Sequence, residues 1–378
     1  MIPTPPLSSQ RALFEIPEGI AYLDAAAYSP LPRSVRAAGE AGVAGKSHPW
    51  TVPRSEAARW GLRARAAAAR LVGAAPGDIA ITGSVSHGIA TAALNLEPPP
   101  GSRVLRVQDE FPSLCLPWDR LARQRGLVVD TVPRPADGDW TTALLEAIDR
   151  PGAAPLGVAT LTPLHWCDGT PIDLDRVIPA VRRQGGAVVV VDATQAVGVL
   201  PVDAGRWRPD FLAFPTYKWV LGPYSLAFLY AAPERQSGLP LEENGFNMPG
   251  GHPAPGAARY DRGERDDPVA LPMAANGMEL VESWGVAAVE ARLRGLTDRL
   301  AERLEAMGLA CPPRHRRSPH ILGLRLPGGL PAHLVPALAE RGAFASDRLG
   351  VLRISAHVWV EEADIDRFAA VLGEVLGR

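Results

Sequence analysis

The sequence predicts an α/β fold: a mostly parallel central sheet covered by helices on both faces, followed by a smaller α+β unit at the C-terminal end. Short apolar, β-branched runs alternate with helix-like stretches through the first two thirds of the chain. Four valines precede Asp192, the apolar run that a strand buried on both faces requires. From Gly238 to Pro272 glycine, proline and charge replace periodicity, and a second set of elements follows.

In chain order, Glu56 to Val72 is rich in alanine and arginine and reads as a helix. ITGSVSHGIATAAL, from Ile81, reads as strand, tight turn and helix start. Strands are expected at Val104 to Val107, Leu127 to Val132, Leu156 to Leu161, Ala187 to Val191, Phe211 to Phe214 and Leu226 to Tyr230, with a helix at Asp175 to Gln184. Beyond the proline- and glycine-rich crossing, a long helical pattern runs from Met273 to Met307, with interruptions expected near Gly285 and Gly295. A strand at Ile321 to Leu326, a helix at Ala332 to Arg341, a strand at Val351 to Ser355 and a terminal helix from Glu361 complete it. The expected division is an N-terminal segment, residues 1–20, packing on the small domain, a large domain over 21–255 and a small C-terminal domain over 256–378.

The chain has 378 residues, 47% hydrophobic and 21% charged, enough to bury the cores of two domains. A formal net charge of -2 predicts no general attraction to nucleic acid or to an anionic membrane, which leaves small molecules as the expected partners. The one dense basic run, Arg314 to Arg317, lies between prolines and reads as a solvated loop. Cys115, Cys167 and Cys311 form no CxxC pair and no disulfide framework, and they predict no structural zinc; they fit a reducing compartment. With no basic-then-apolar leader pattern at the start and no apolar run of spanning length, the expected location is the cytoplasm.

Four features fall in order along the α/β unit: the turn ITGSVSHG, an aromatic in EFPS, an acid in VVVVDATQ and a lysine in FPTYKW. Pyridoxal phosphate needs these types of group: an amine for its aldehyde, an anion for its ring nitrogen, a platform for its ring and donors for its phosphate. Asp192 would sit at the carboxyl end of a buried strand, where ligands collect; the competing reading is a helix cap. Lys218 is one of only two lysines, with Lys46, and lies between Tyr217 and Trp219, where a desolvated amine is neutral more readily; the alternative is a snorkelling surface lysine. The hydroxyls of Ser84 or Ser86, with the backbone N–H groups of the turn, can hold a phosphate, or simply cap a helix. Phe111 can stack on a cofactor ring or pack in the core, and Arg353 can grip a carboxylate or form a structural ion pair.

Seven segments in one order, YLDAAAYSPLP, ITGSVSHG, EFPSLCLPW, VDATQAVG, FPTYKWVLGP, RYDRGERD and VLRISAHVWVEEADIDRF, resemble the class V aminotransferase superfamily, which includes cysteine desulfurases and isopenicillin N epimerase-like proteins. The resemblance spans nearly the whole chain and implies the pyridoxal phosphate-dependent transferase fold of type I. It implies that Lys218 carries the Schiff base, that Asp192 faces the ring nitrogen and that Gln195 bonds the phenolic oxygen. Val85 and Ser86 match the phosphate-binding turn, Thr216 and Tyr217 match further phosphate ligands, and Arg353 matches the arginine that holds the substrate carboxylate. The segment around Gly263 matches one that reaches a neighbouring subunit's phosphate, which implies a homodimer with shared active sites.

Departures from the family shape the expected chemistry. Phe111 stands where desulfurases carry a histidine, Glu264 where the family has a threonine, and Trp166, beside His165, where many relatives have an asparagine; His165 and Trp166 are carried as substrate-side candidates. No cysteine follows Cys311, so the persulfide step of a desulfurase is not expected. The leading expectation is β-elimination on a cysteine-derived amino acid, of the carbon-sulfur lyase type. Epimerisation or transamination is the alternative, with His165 or His87 as a second proton carrier or as ordinary turn residues. A binding protein that has lost turnover is the alternative from another class.

Overall fold

The computed structural model describes residues 5–378. Twelve strands make three sheets: β1 (Ala21–Tyr22), β2 (Ile79–Thr82), β3 (Arg103–Val107), β4 (Val128–Val132), β5 (Leu156–Leu161), β6 (Val188–Asp192), β7 (Phe211–Pro215), β8 (Ala227–Ala231), β9 (Ile321–Leu324), β10 (Ala343–Phe344), β11 (Ser346–Arg348) and β12 (Val351–Ser355). The central sheet has seven strands in the order β2-β8-β7-β6-β5-β3-β4. Its ladders are parallel except those on either side of β8, which runs against both neighbours. The small sheet, β11-β12-β9, is antiparallel, and β1 pairs in parallel with β10.

The helices are α1 (Arg33–Ser47), α2 (Arg54–Leu71), α3 (Val85–Leu94), α4 (Pro112–Arg125), α5 (Trp140–Ile148), α6 (Leu174–Arg183), α7 (Ala204–Trp207), α8 (Ala270–Trp284), α9 (Val286–Ala306), α10 (Leu334–Glu340) and α11 (Glu362–Leu376). The pattern that makes them is visible in α6, where Leu174, Val177, Ile178 and Val181 form one buried stripe and the Asp173 side chain caps the first turn. Two buried clusters lie on the two faces of the central sheet, one containing Leu105, Val189, Val191 and Phe214 and the other Val104, Trp118, Val190 and Phe211. Alternation along β6 sends successive valines to opposite clusters, which is why the strand is apolar throughout.

The α/β class and the mostly parallel sheet stand as the sequence predicts. Three helices, α1, α4 and α5, lie outside the helices that the sequence singles out. The first carries three glycines and α4 carries Pro112 and Pro117, both signals that argue against helix from sequence alone. Pro112 occupies the first helical position, where its missing N–H costs nothing. The expected interruption at Gly285 is real, with φ 79°, whereas Gly295 lies inside an unbroken α9, held between the buried Leu293 and Leu296. Helix α8, allotted by sequence to the second unit, packs across α1 and α2: Gly39 and Gly42 leave room for Met273 and the Pro268 carbonyl. The N-terminal segment runs along the C-terminal elements, with the Leu7 N–H donating to Ala288 O, the Gln10 N–H to Val358 O, and Arg11 paired to Asp364 at 2.7 Å. The Arg314 to Arg317 run is not simply solvated, since Arg314 and Arg317 pair with Asp298 and Arg316 with Asp139.

Candidate functional site

The carboxyl ends of β5, β6 and β7 open onto one cavity of about 300 Å³, with Thr162, Asp192 and Pro215 contributing to its wall. This is where a doubly wound sheet gathers ligands. Asp192 ends the valine strand, is 7% exposed, and accepts a hydrogen bond from the Thr194 N–H at 2.8 Å. Burial pushes its carboxyl up, and the Lys218 charge pulls it partly back.

Lys218 lies in the loop joining β7 to the reversed strand β8, so the sheet's one antiparallel turn delivers it to the same cavity. It is 8% exposed and, among the described residues, its amine makes no hydrogen bond or ion pair; Nζ lies 5.4 Å from the Tyr217 ring centroid. Burial lowers its pKa to about 7, helped by the guanidiniums of Arg353 and Arg348 and opposed by Asp192 and Asp24. A buried acid and a buried amine thus line one space without touching. That arrangement is costly unless a third group lies between them.

Two helix N-termini face the same cavity. The Ser84 hydroxyl caps α3 by accepting the His87 N–H at 3.1 Å, and the Ser86 hydroxyl, two residues on in the first turn, donates to the Ser113 hydroxyl of α4 at 2.7 Å. Val85, Ser86 and Ser113 all contribute to the wall, so backbone N–H groups and hydroxyls converge where an anion is favoured. Gln195 completes this side, with its Nε2 donating to Ala26 O at 3.3 Å and its Oε1 accepting from the Trp219 indole at 2.7 Å.

Not all the sequence candidates reach the cavity. Phe111 and Trp166 do, in an edge-to-face pair 5.3 Å apart, and Tyr217 does, 4.4 Å from Tyr224. Thr216 is fully buried, and its hydroxyl donates to Pro223 O at 2.5 Å, inside the turn that presents Lys218. His165 is also fully buried, stacked on Trp140 and bonded to Gln108 O at 3.1 Å, away from the cavity wall. Burial lowers its pKa, and the same holds for His87, which is likewise off the wall.

Arg353, on β12, lies just behind the wall. Its Nη1 donates to Trp166 O at 3.1 Å and its Nη2 to the Ser346 hydroxyl at 3.4 Å, Asp24 is 3.8 Å away, and Nε is buried without a partner. Desolvation lowers the pKa of this guanidinium to about 10, with the Arg348 charge adding to the fall and Asp24 opposing it.

Sequence reasoning missed Glu110, whose carboxyl lines the cavity, accepts the Phe111 N–H at 2.7 Å and is pushed up to about 8 by burial, with the Asp192 charge adding to the rise. Its signal was its place directly after the end of β3, at the ligand edge of the sheet. Tyr224 and Ser225 were missed because they follow Lys218 through a turn whose path no local pattern reveals.

The donor set fits pyridoxal 5′-phosphate: an unpartnered buried amine, a carboxylate that needs a cationic neighbour, and two helix N-termini for a phosphate. Isopenicillin N epimerase of Streptomyces clavuligerus is 30% identical to the chain over 383 residues, covering 92% of the chain and 93% of that protein. Among solved structures, the cysteine desulfurase of Thermococcus onnurineus NA1 superposes with a TM-score of 0.85 at 20% identity, covering 99% of the chain and 100% of that structure. A C-DES variant with glycine covalently linked to its pyridoxal phosphate gives a TM-score of 0.86, also at 20% identity, over 97% of the chain and all of that structure. These likenesses establish the type I fold, and the aminotransferase class-V family model matches residues 21–368. The chain belongs to the aminotransferase class-V family, with pyridoxal 5′-phosphate as its cofactor.

Proposed function

We propose that the protein removes the α-proton of a small amino acid and expels a sulfur leaving group from the β-carbon as a thiol, the remaining enamine taking up one water to give pyruvate and ammonia. The observation that carries this is the single buried amine, Lys218, in a cavity that no imidazole of the described residues lines. Bound there, pyridoxal phosphate supplies a ring that accepts the electron pair left at the α-carbon. Lys218 would hold the cofactor aldehyde at rest, and its amine, when free, would take the α-proton of the substrate on Nζ. With its pKa near 7, a substantial fraction of that amine is unprotonated at neutral pH. In this reading Asp192 faces the ring nitrogen and Gln195 gives its free N–H to the phenolic oxygen. Val85 and Ser86 hold the phosphate with help from the Tyr217 side, and the Thr216 hydroxyl shapes the loop that presents the lysine. Arg353 takes the substrate carboxylate, exchanging its weak bond to Ser346 for a bidentate one. Phe111 and Trp166 form an apolar edge of the cavity beside the reacting atoms.

Inversion of the α-carbon is the second reading, favoured by one feature: Glu110 is a carboxyl in the same cavity, protonated at neutral pH and able to donate. A homodimer that shares its sites belongs to both readings; Tyr28 and Tyr224, 54% and 58% exposed beside the cavity mouth, support it. The purified protein mixed with S-substituted cysteines is expected to yield pyruvate and ammonia in equal amounts. Absence of both, with exchange of the α-hydrogen for deuterium retained, rejects elimination.

A further inference from the structure

The residue after Lys218 is a tryptophan of the buried core whose one polar atom is hydrogen-bonded to a residue of the cavity wall. Trp219 is 1% exposed, and its indole N–H donates to Gln195 Oε1 at 2.7 Å. Gln195 Nε2 in turn donates to Ala26 O. An indole only donates and a backbone carbonyl only accepts, so the two partners together fix which end of the amide is oxygen. One N–H of Nε2 is left over, on a residue that lines the cavity.

The second unit holds this pair in place. His320 Nε2 donates to the Gln195 carbonyl at 2.7 Å, and its ring meets Trp219 edge-on at 4.5 Å. His357 Nε2 donates to the Trp219 carbonyl at 3.2 Å, and its Nδ1 accepts the Val358 N–H at 2.8 Å. Burial lowers both imidazoles to about 3, so both stay neutral and their tautomers do not change across the working pH range.

We propose that Trp219 is a positioning residue: its indole N–H locks the Gln195 amide so that the remaining Nε2–H points at the phenolic oxygen of the cofactor. This rests on the assignment of Gln195 to that oxygen made above. A donor aimed at that oxygen stabilises its deprotonated form, and therefore sets the pH at which the visible band of the resting holoenzyme changes. The ionisable groups facing or bordering the same space, besides Lys218 itself, are Asp24, Glu110, Asp192, Tyr217, Tyr224, Arg348 and Arg353. All of them remain in the variants below.

The test titrates the visible band of resting holoenzyme, without substrate, for the parent and for Trp219→Phe, Trp219→His, Gln195→Leu and Trp219→Phe/Gln195→Leu. Loss of one hydrogen bond predicts that Trp219→Phe moves the midpoint upward by about half to one pH unit. The double variant is expected to move no further than Gln195→Leu, because both act on one contact. Trp219→His, which keeps a ring N–H, is expected to stay near the parent midpoint, and it decides the matter should Trp219→Phe fail to fold. A midpoint that shifts in Gln195→Leu but not in Trp219→Phe, or that shifts as far in Trp219→His, overturns the role of Trp219 and leaves that of Gln195 standing. If Gln195→Leu leaves the midpoint unmoved, the assignment of Gln195 to the phenolic oxygen fails, and the positioning role with it.

Discussion

Replacing Lys218 with methionine is expected to stabilise the cofactor-free protein at neutral and acid pH while abolishing turnover. The amine is buried, and its pKa falls from 10.5 to about 7 on folding. A lowered lysine pKa means that the folded chain resists a proton the unfolded chain accepts. Stability is therefore unaffected well above pH 10.5, declines as the pH falls from there to about 7, and stays at the lower level below it. A displacement of that size corresponds to about 4–5 kcal/mol at about 1.4 kcal/mol per unit. Losing the cation also pushes the Asp192 carboxyl further up, which cancels part of the gain, so a net stabilisation of about 2–4 kcal/mol is expected at about pH 6. Urea unfolding of both proteins at about pH 6, 8 and 10 measures it through the shift in midpoint at constant slope. A methionine variant no more stable at the lowest pH, or one whose advantage is the same at all three, would refute the burial of a titrating amine at this site.

Arg353→Leu is expected to lower kcat/KM by about 10–100-fold, the effect of losing a charge-assisted hydrogen-bonded pair. An amine that lacks the α-carboxylate should react equally with parent and variant, and steady-state kinetics on both substrates checks this. Gly277→Ala drives a Cβ into Val220 O, behind the Lys218 loop, and should cost about 1–3 kcal/mol despite alanine's better helix propensity. Gly295→Ala in α9, where the added Cβ meets open space, should instead stabilise by about 0.5–1 kcal/mol; denaturant midpoints of the two variants should therefore move in opposite directions.

The buried strands were legible because burial on both faces leaves a plain signature. β5 and β12 fall where the apolar runs do, and β6 is one residue out because Asp192 closes it. The acid, the amine and the turn were legible because each stands near a strand end or helix start and the order of elements brings them together, whereas Gln195 came only with the family resemblance. What local pattern hid were positions decided by long-range contact. Helix α4 forms although it carries two prolines, because Leu114, Trp118 and Leu121 bury against the sheet. His165 resembles a site residue from its place after a strand, but Trp140 and Arg134 draw it inward. Glu110 was overshadowed by the aromatic that follows it, and Trp219 reads as an apolar neighbour until its indole N–H is traced to an amide 24 positions earlier.

The scarcity of lysine has a practical consequence. Lys46 lies on the exposed surface of α1 and Lys218 deep in the cavity, and no other side-chain primary amine exists in the chain. Guanidiniums do not condense readily with aldehydes, so an aldehyde-bearing molecule finds one distinctive ε-amine inside and one ordinary ε-amine outside. Reductive trapping followed by peptide mapping would then give occupancy of the interior lysine directly, with the exterior one as its built-in reference.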